Sequence, residues 1–415
     1  MNVIFAAPFF LEATTRFVAT VAGLPGVRLG LISQDALESL PPVLRGALRG
    51  HYRVHDAMDA NELARAVRHV AGQLGAEPHT VRLIGTLEQL QEQIAAVRDA
   101  LGISGPGGAG GMGLEAARNF RDKARMKEVL RAAGLPCARH ARVEAPDDAR
   151  RFVAELGLPV VFKPLAGAGS VATSRINRMD ELERVLGHAR PTPQTPWVIE
   201  EMVIGQERSF ETVSIDGRPV WDSQTRYEPP PLVVLENGWI QWTVSLPREV
   251  DNDEIRAIRP YGHKALAALG MKTGISHMEW FRRPDGSVAI SEVAARPPGA
   301  QIMALNSYAH DVDFIRVWAE LAVFGRFTPP ERKYAAGVAF FRAQGHGSRI
   351  AAVRGLDEAQ RAVGHLVVEA KLPLAGQQRS TSYEGEGYAI VRHPDTAVVE
   401  QALRTLIGTV VVEAG

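Results

Sequence analysis

The first hundred residues alternate short apolar runs with stretches in which apolar residues recur at helical spacing. The apolar runs predict buried strands at 3–7, 27–32 and 81–84, and the amphipathic stretches predict helices at 11–22, 60–74 and 87–101. Strands that alternate with helices are typical of an open parallel sheet. We therefore predict an N-terminal domain of the α/β class. No G-x-G-x-x-G follows the first strand, which disfavours a dinucleotide site.

A glycine-rich stretch at 105–113 marks a change in the pattern. We interpret it as a linker and not as a phosphate loop, because no GK[ST] follows it. Helices are predicted at 114–133 and 146–156, and from there to about residue 300 the chain indicates strands, hairpins and one helix at 253–269. Short strands and a closing helix at 396–406 complete the chain, which predicts an α+β remainder.

The length of 415 residues fits about three domains or one large composite fold. The changes of pattern predict a first domain at 1–107, a second at 108–196 and a third at 197–415, with a small α+β subdomain from about residue 331.

Composition narrows the class of partner. The 47 Lys and Arg residues balance 47 Asp and Glu residues, so we expect no general electrostatic binding of nucleic acid or of a membrane. The single cysteine, Cys137, excludes an internal disulfide, and the N-terminus carries no basic signal-peptide region, so we expect a cytoplasmic protein. Only seven of the basic residues are lysines, which makes the position of each lysine informative.

Lys163 ends an apolar strand and precedes a loop of small residues at 165–170. A second strand at 171–176 leaves this loop, whereas a Walker loop would contain its lysine and would lead into a helix. A flexible glycine loop can fold over a triphosphate with its backbone N–H groups, and Lys163 can add a point charge. An ordinary β-hairpin with an edge lysine fits equally well. The loop residues that would bind phosphates are Gly167, Gly169 and Ser170.

Charged residues also lie on either side of this hairpin. Upstream, the predicted helix at 114–133 holds Lys123 and Lys127. Downstream, an apolar strand runs into Glu200, and Val203 and Glu207 follow. Adenine needs an acceptor for its amine and backbone groups for its edge, and ribose hydroxyls need a carboxylate, so these three residues could serve a nucleotide. A solvated acidic turn is the alternative for this segment alone.

A third element, at 275–296, is predicted to form a hairpin. With a loop of two or four residues, position 279 faces 290 and position 277 faces 292, which makes the two glutamates diagonal neighbours. An odd loop without a bulge would break this alignment. The residues expected on one face are His277, Glu279, Glu292, Ala294 and Arg296.

Two inward carboxylates are costly to bury unless they hold a cation. Oxygen ligands supplied by one or two carboxylates and by substrate phosphates describe a magnesium site, so Glu279 and Glu292 are candidate ligands. The alternative is a structural ion pair between Glu292 and Arg296.

The order of these elements resembles the ATP-grasp superfamily, in which two lobes clamp ATP. The elements are Lys123, Lys163 with its glycine loop, Glu200 to Glu207, Glu279, and Glu292-x-x-x-Arg296. The resemblance covers most of the chain. It implies an α/β N-terminal domain, two α+β ATP-grasp lobes and a small C-terminal α+β subdomain.

The resemblance also implies roles for the nucleotide-site residues. Lys123 and Lys163 would contact the phosphates of ATP. Glu200 and Val203 would hold adenine, and Glu207 would hold ribose.

Glu279 and Glu292 would hold Mg²⁺, or Mn²⁺ in its place, and Arg296 would stabilise the oxyanion of a tetrahedral intermediate. The family pattern is usually Glu-x-Asn-x-Arg, and Ala294 replaces the asparagine here. A water could replace that ligand, Glu292 could bridge two ions, or one ion alone could bind tightly. His277 lies two residues before Glu279, where the amino-acid ligase branch has a histidine near the acyl phosphate; a core histidine satisfied by backbone is the alternative.

Within the superfamily, the segments around His277 and Arg296 look like the amino-acid ligase branch. This implies an enzyme that joins an amino-acid carboxylate to an amine or a second amino acid through an acyl phosphate, releasing ADP and phosphate. The expected partners are therefore small carboxylates and amines, and a homodimer stays open. The segment 226–242, with Trp239 and Trp242, would line the acceptor pocket or belong to the core. Alternatives are a carboxylating or purine-pathway enzyme of the same superfamily, and a nucleotide-binding regulator.

Overall fold

The computed structural model describes residues 1–105, 112–165 and 173–415. The N-terminal part is a parallel sheet in the order β3-β2-β1-β4, as the sequence predicts. Its strands are β1 (Asn2–Ala6), β2 (Arg28–Ser33), β3 (Gly50–Arg53) and β4 (Arg82–Ile84). Its helices are α1 (Glu12–Ala22), α2 (Pro42–Ala47), α3 (Ala60–Gln73) and α4 (Gln91–Leu101).

A second, antiparallel sheet follows in the order β5-β8-β6-β7. Its strands are β5 (His140–Val143), β6 (Val160–Pro164), β7 (Ser174–Ile176) and β8 (Trp197–Glu201). The helices around it are α5 (Leu114–Arg121), α6 (Lys123–Ala132), α7 (Pro146–Leu156) and α8 (Met179–Ala189). The pairing of β6 with β7 confirms that Lys163 precedes a hairpin connection, whereas Gly167, Gly169, Ser170 and most of the glycine-rich stretch at 105–113 lie outside the described residues.

The largest sheet has the order β13-β12-β9-β10-β11-β14-β17-β16. Its strands are β9 (Gln206–Ile215), β10 (Arg218–Glu228), β11 (Trp242–Leu246), β12 (Gly274–Arg282), β13 (Val288–Ala294), β14 (Ala335–Phe341), β16 (Val367–Lys371) and β17 (Gly387–His393), and β15 (Ile350–Arg354) pairs separately with β18 (Val411–Ala414). The helices of this part are α9 (Pro231–Glu236), α10 (Asp253–Leu269), α11 (Ile302–His310), α12 (Phe314–Phe324), α13 (Leu356–Val363) and α14 (Thr396–Thr409). The division of the chain into three domains stays a prediction.

Several details of the secondary-structure prediction are wrong. Strand β3 and helix α2 were not predicted, and α11, α12 and α13 form where only short strands and a closing helix were expected. The helix expected at 114–133 is two helices, because Asp122 is extended and its carboxylate accepts hydrogen bonds from the first N–H groups of α6. The region from 157 to 300 was expected to hold one helix, yet α8 and α9 also form there. Helix α8 is amphipathic and buries Leu182 and Leu186.

Alternation along the strands of the large sheet separates a core face from an open face. Phe210, Met278, Trp280 and Val293 pack in one apolar cluster with residues of α6 and α10. The residues next to them in sequence therefore point to the opposite face of the large sheet, towards the sheet β5-β8-β6-β7. Among the described residues, no helix has the length and hydrophobicity that a membrane span requires.

Candidate active site

A cavity of about 640 Å³ is lined by residues of all three parts of the chain. The sequence-predicted residues that line it are Lys123, Lys163, Glu200, Val203, Glu207, His277, Glu279, Glu292 and Arg296. Ala294 lines it as well, so the position of the usual asparagine faces the cavity but offers no ligand atom. The structure thus brings together residues that lie far apart in sequence, with 173 positions between the first, Lys123, and the last, Arg296.

The hairpin β12–β13 carries the predicted carboxylates on the cavity face, but the predicted register is wrong. Glu279 pairs directly with Glu292, and His277 pairs with Ala294. The loop at 283–287 holds an odd number of residues, and Gly286 adopts a φ of 82° within it. A bulge at Ser291 compensates for the odd loop, so the expected shared face survives.

Two lysines hold the carboxylate of Glu200. The Nζ atom of Lys163 lies 3.1 Å from one carboxylate oxygen, and the Nζ atom of Lys127 lies 3.4 Å from the other. Lys127 also donates to the carbonyl of the bulge residue Ser291 at 2.5 Å. Burial alone would raise the pKa of Glu200, yet the two lysine charges hold it below its usual value. This ion-pair network ties α6, β6 and β8 to the hairpin.

A second pair joins Lys123 to Glu292, with 2.8 Å between Nζ and a carboxylate oxygen. Although burial opposes ionisation, the Lys123 and Lys163 charges lower the pKa of Glu292 to about 2. Lys123 stands at the first position of α6, directly after the capping residue Asp122. The break between α5 and α6 therefore fixes where this ammonium group enters the cavity.

Arg296 is held from the N-terminal part of the chain. Its Nε atom lies 2.7 Å from the buried carboxylate of Glu88, whose other oxygen lies 2.7 Å from Arg121. Within the described residues, Arg296 and Glu292 are thus each paired elsewhere, which disfavours the ion pair between them that the sequence left open. Glu88 was missed by sequence reasoning. It stands in a single turn and carries no local signal.

His277 is held by a carboxylate and not by backbone, as the core alternative assumed. Its Nδ1 atom lies 2.8 Å from Glu211, and its Nε2 atom lies 3.8 Å from Glu279. Burial disfavours its charged form, yet the hydrogen bond to Glu211 and the nearby charge of Glu279 raise the pKa of His277 to about 9. Glu211 also accepts a hydrogen bond from Ser209 at 2.6 Å. Glu211 was missed, although it follows Glu207 at the spacing of one strand face.

Glu207 completes the carboxylate cluster. It lies opposite Phe281 in the β9–β12 pairing and is buried. Burial and the charge of Glu279 raise the pKa of Glu207 to about 8. The raised pKa shows that Glu207 and Glu279 repel each other when both are ionised, and the oxygen donors of Glu279 and Glu292 fit a hard divalent cation.

Among the described residues, no group of three or more His, Cys, Asp or Glu side chains forms a complete metal site. Mg²⁺ is commonly bound by one or two carboxylates together with substrate phosphates, and Glu279 and Glu292 match that donor set. Their role as metal ligands stays a prediction, as do the roles of Glu200, Val203 and Glu207 towards adenine and ribose.

Part of the chain is similar in sequence to known proteins. Residues 128–308 match the ATP-grasp domain. The chain is 26% identical to the alanine–anticapsin ligase of Bacillus subtilis over 239 residues, which cover 53% of this chain and 50% of that protein. It is 27% identical to the L-arginine-specific L-amino acid ligase of Bacillus subtilis over 213 residues, covering 50% and 49% of the two chains. The matches span about half the length of these relatives.

The fold is also similar over the whole chain to a solved structure, the L-amino acid ligase from Bacillus licheniformis. The TM-score is 0.75 at 18% sequence identity, and the match covers 100% of this chain and 98% of that chain. The matched domain contains Lys163, Glu200, Glu279, Glu292 and Arg296 of the cavity. Residues 128–308 of the chain therefore match an ATP-grasp domain.

Proposed function

We propose that this chain is an ATP-dependent carboxylate–amine ligase that activates an amino acid as an acyl phosphate and releases ADP and phosphate. The observation that carries the proposal is the charge arrangement of the cavity. Lys123, Lys163 and Arg296 bring three cationic groups into one space with the paired carboxylates of Glu279 and Glu292. Phosphoryl transfer needs positioning and charge stabilisation more than a covalent nucleophile, and this set supplies both.

Each cationic group has a separate task in this proposal. Lys163 and Lys123 hold the phosphates of ATP, with Glu200 and Glu292 orienting their ammonium groups. Arg296 gathers the negative charge that develops on the acyl phosphate and on the tetrahedral adduct. Its Nε atom is fixed by Glu88, so the rest of the guanidinium group keeps one orientation.

The carboxylates of Glu279 and Glu292 would hold Mg²⁺ in this site. An ion held by these carboxylates and by the phosphates of ATP would screen the charge of the transferring group. His277, held through Nδ1 by Glu211, keeps its Nε2 atom on the side of Glu279.

The substrates are proposed from chemistry and from the relatives. The relatives are named as ligases of alanine with anticapsin and of L-arginine, which are amino-acid substrates. We therefore propose an amino-acid carboxylate as the acid and an amine or second amino acid as the nucleophile. Attack requires the unprotonated amine, so the rate should rise as the pH rises towards the pKa of the amine substrate.

The reaction is tested by its products. The protein, MgATP and mixed amino acids should give ADP and phosphate in equal amounts, and hydroxylamine in place of the amine should trap the activated acid as a hydroxamate. AMP as the stoichiometric nucleotide product would overturn the mechanism. Bicarbonate-dependent turnover without any amino acid would favour the carboxylating alternative instead.

Replacing Lys163 by methionine should weaken ATP binding roughly 10- to 100-fold, because it removes one charge-assisted contact while keeping the length of the side chain. Isothermal titration calorimetry with MgATP measures the effect. Lys371→Met is the matched control, since Lys371 also forms an ion pair at 2.8 Å, with Glu12, but is exposed and does not line the cavity. Unchanged ATP affinity in Lys163→Met would mean that the nucleotide binds elsewhere.

A further inference from the structure

The cavity face of the large sheet changes character from one strand to the next. The carboxylates lie on β13, β12 and β9, whereas the next two strands, β10 and β11, contribute Tyr227 and Trp242. Arg208 pairs with Arg226 in the register of β9 and β10, and Glu207 and Tyr227 are the next residues on these two strands. Strands are about 4.8 Å apart, so Trp242 lies two strand spacings beyond the nearest carboxylate strand. An aromatic floor therefore adjoins the charged end of the cavity.

Apolar side chains of two helices line the cavity next to these aromatic residues, and we call those of α9 the apolar roof. Helix α9 contributes Leu232, Val234 and Leu235 to the cavity lining, and the first residue of α11, Ile302, lines it from the side. We call the space bounded by Tyr227, Trp242, Leu232, Leu235 and Ile302 the apolar compartment. Among the described residues that β10, β11 and α9 contribute to the cavity, none is charged.

The aromatic residues of the floor offer little polar surface to a ligand. The indole N–H of Trp242 already donates to the carbonyl of Tyr383 at 2.9 Å. Tyr227 and Trp242 are only 6% and 2% exposed, so the cavity meets a small part of each side chain. A charged or strongly polar substrate group placed there would lose its hydration without gaining a partner.

The compartment is connected to Arg296 by the chain itself. Residues 297–300 run along the cavity lining from Arg296 to the start of α11. A ligand whose carboxylate lies beside Arg296 can thus extend its side chain into the apolar compartment. The apolar compartment therefore adjoins the position at which the acid substrate would be activated, and not a separate amine site.

We propose that the apolar compartment binds the side chain of the amino acid whose carboxylate is phosphorylated, so that this acid is a large apolar one such as leucine, methionine or phenylalanine. This inference rests on the proposed function. It adds the class of the acid substrate and assigns α9 as a specificity element.

Hydroxylamine isolates the acid site, because it replaces the amine for every acid tested. With MgATP, hydroxylamine and single amino acids, kcat/KM for hydroxamate formation should be at least about tenfold higher for leucine, methionine or phenylalanine than for alanine, serine, aspartate or lysine. Equal or higher values for the small or charged acids would overturn the inference and leave the ligase proposal standing. No hydroxamate and no ADP with any acid would instead contradict the proposed function itself.

Leu235→Glu tests the compartment directly, since it places a charge in the apolar roof. We expect at least a tenfold loss of kcat/KM for leucine with an unchanged KM for ATP, and a smaller loss for lysine. Val43→Glu is the control, because Val43 is 88% exposed on α2, away from the cavity. Leu235→Ala, which keeps the roof apolar, should retain the preference for large apolar acids. Equal leucine kinetics in Leu235→Glu and Val43→Glu would place the acid side chain elsewhere.

Discussion

Replacing Glu279 by glutamine should lower kcat for amino-acid-dependent ADP formation by at least about 100-fold. Loss of an outer-sphere partner of a metal site already costs about 10- to 100-fold in metal affinity or activity, and Glu279 is a proposed direct ligand. Its carboxylate lies 3.8 Å from His277, and the Lys123–Glu292 pair stays intact in the variant. The fold should therefore tolerate the substitution. ADP release measured over a range of Mg²⁺ concentrations gives the effect on kcat and on metal dependence.

A matched control separates the metal role from a general loss of charge. Glu320→Gln removes a carboxylate that pairs with Arg316 on the surface of α12, and it should leave the rate unchanged. Glu292→Gln should be nearly as inactive as Glu279→Gln. Full activity of both cavity variants would mean that the hairpin is structural and that Mg²⁺, if required, binds to other residues.

The cavity residues that the sequence identified are those that a single segment can single out, although their roles stay predictions. Lys163 stands out because it ends an apolar strand before glycines in a chain with seven lysines. Glu279 and Glu292 stand out because strand alternation places them on one face, and this face survives even when the register changes. The predicted register was wrong because the bulge at Ser291 cannot be read from the residue pattern of the hairpin.

The carboxylates that hold Arg296 and His277 could not be predicted, because each lies far away in sequence. Glu88 is 208 positions from Arg296, and Glu211 is 66 positions from His277. A carboxylate on a strand or in a turn has the same local signature whether it is solvated or paired in the core. Only the packing of the N-terminal part against the large sheet brings Glu88 to the cavity. The place of Lys127 in the ion-pair network could be anticipated in part, since it lies one helical turn from Lys123 on the same face of α6.

Arg296→Ala should reduce kcat by about 100- to 1000-fold while changing ATP affinity little. A group that stabilises charge only in the transition state affects turnover and not ground-state binding, and removal of one such donor commonly has an effect of this size. Arg296 lines the cavity next to Glu292 and is not one of the proposed phosphate-binding lysines. Calorimetry with MgATP and steady-state ADP release, measured on the same preparation, separate the two effects.

The contact between Arg296 and Glu88 requires a control of its own, because Arg296→Ala also leaves a buried carboxylate with one fewer partner. Arg121→Ala removes the other guanidinium from Glu88 and does not change a cavity-lining residue. If catalysis depends on the charge of Arg296, Arg121→Ala should lower the thermal midpoint but keep kcat within about tenfold of the parent. Arg296→Lys should keep only part of the activity, because lysine lacks the planar guanidinium fork. Equal losses of kcat in Arg121→Ala and Arg296→Ala would mean that activity depends on the ion pairs of Glu88 with both arginines, and not on the charge of Arg296 in the cavity. A loss of ATP affinity in Arg296→Ala as large as that in Lys163→Met would place Arg296 among the nucleotide-binding groups instead.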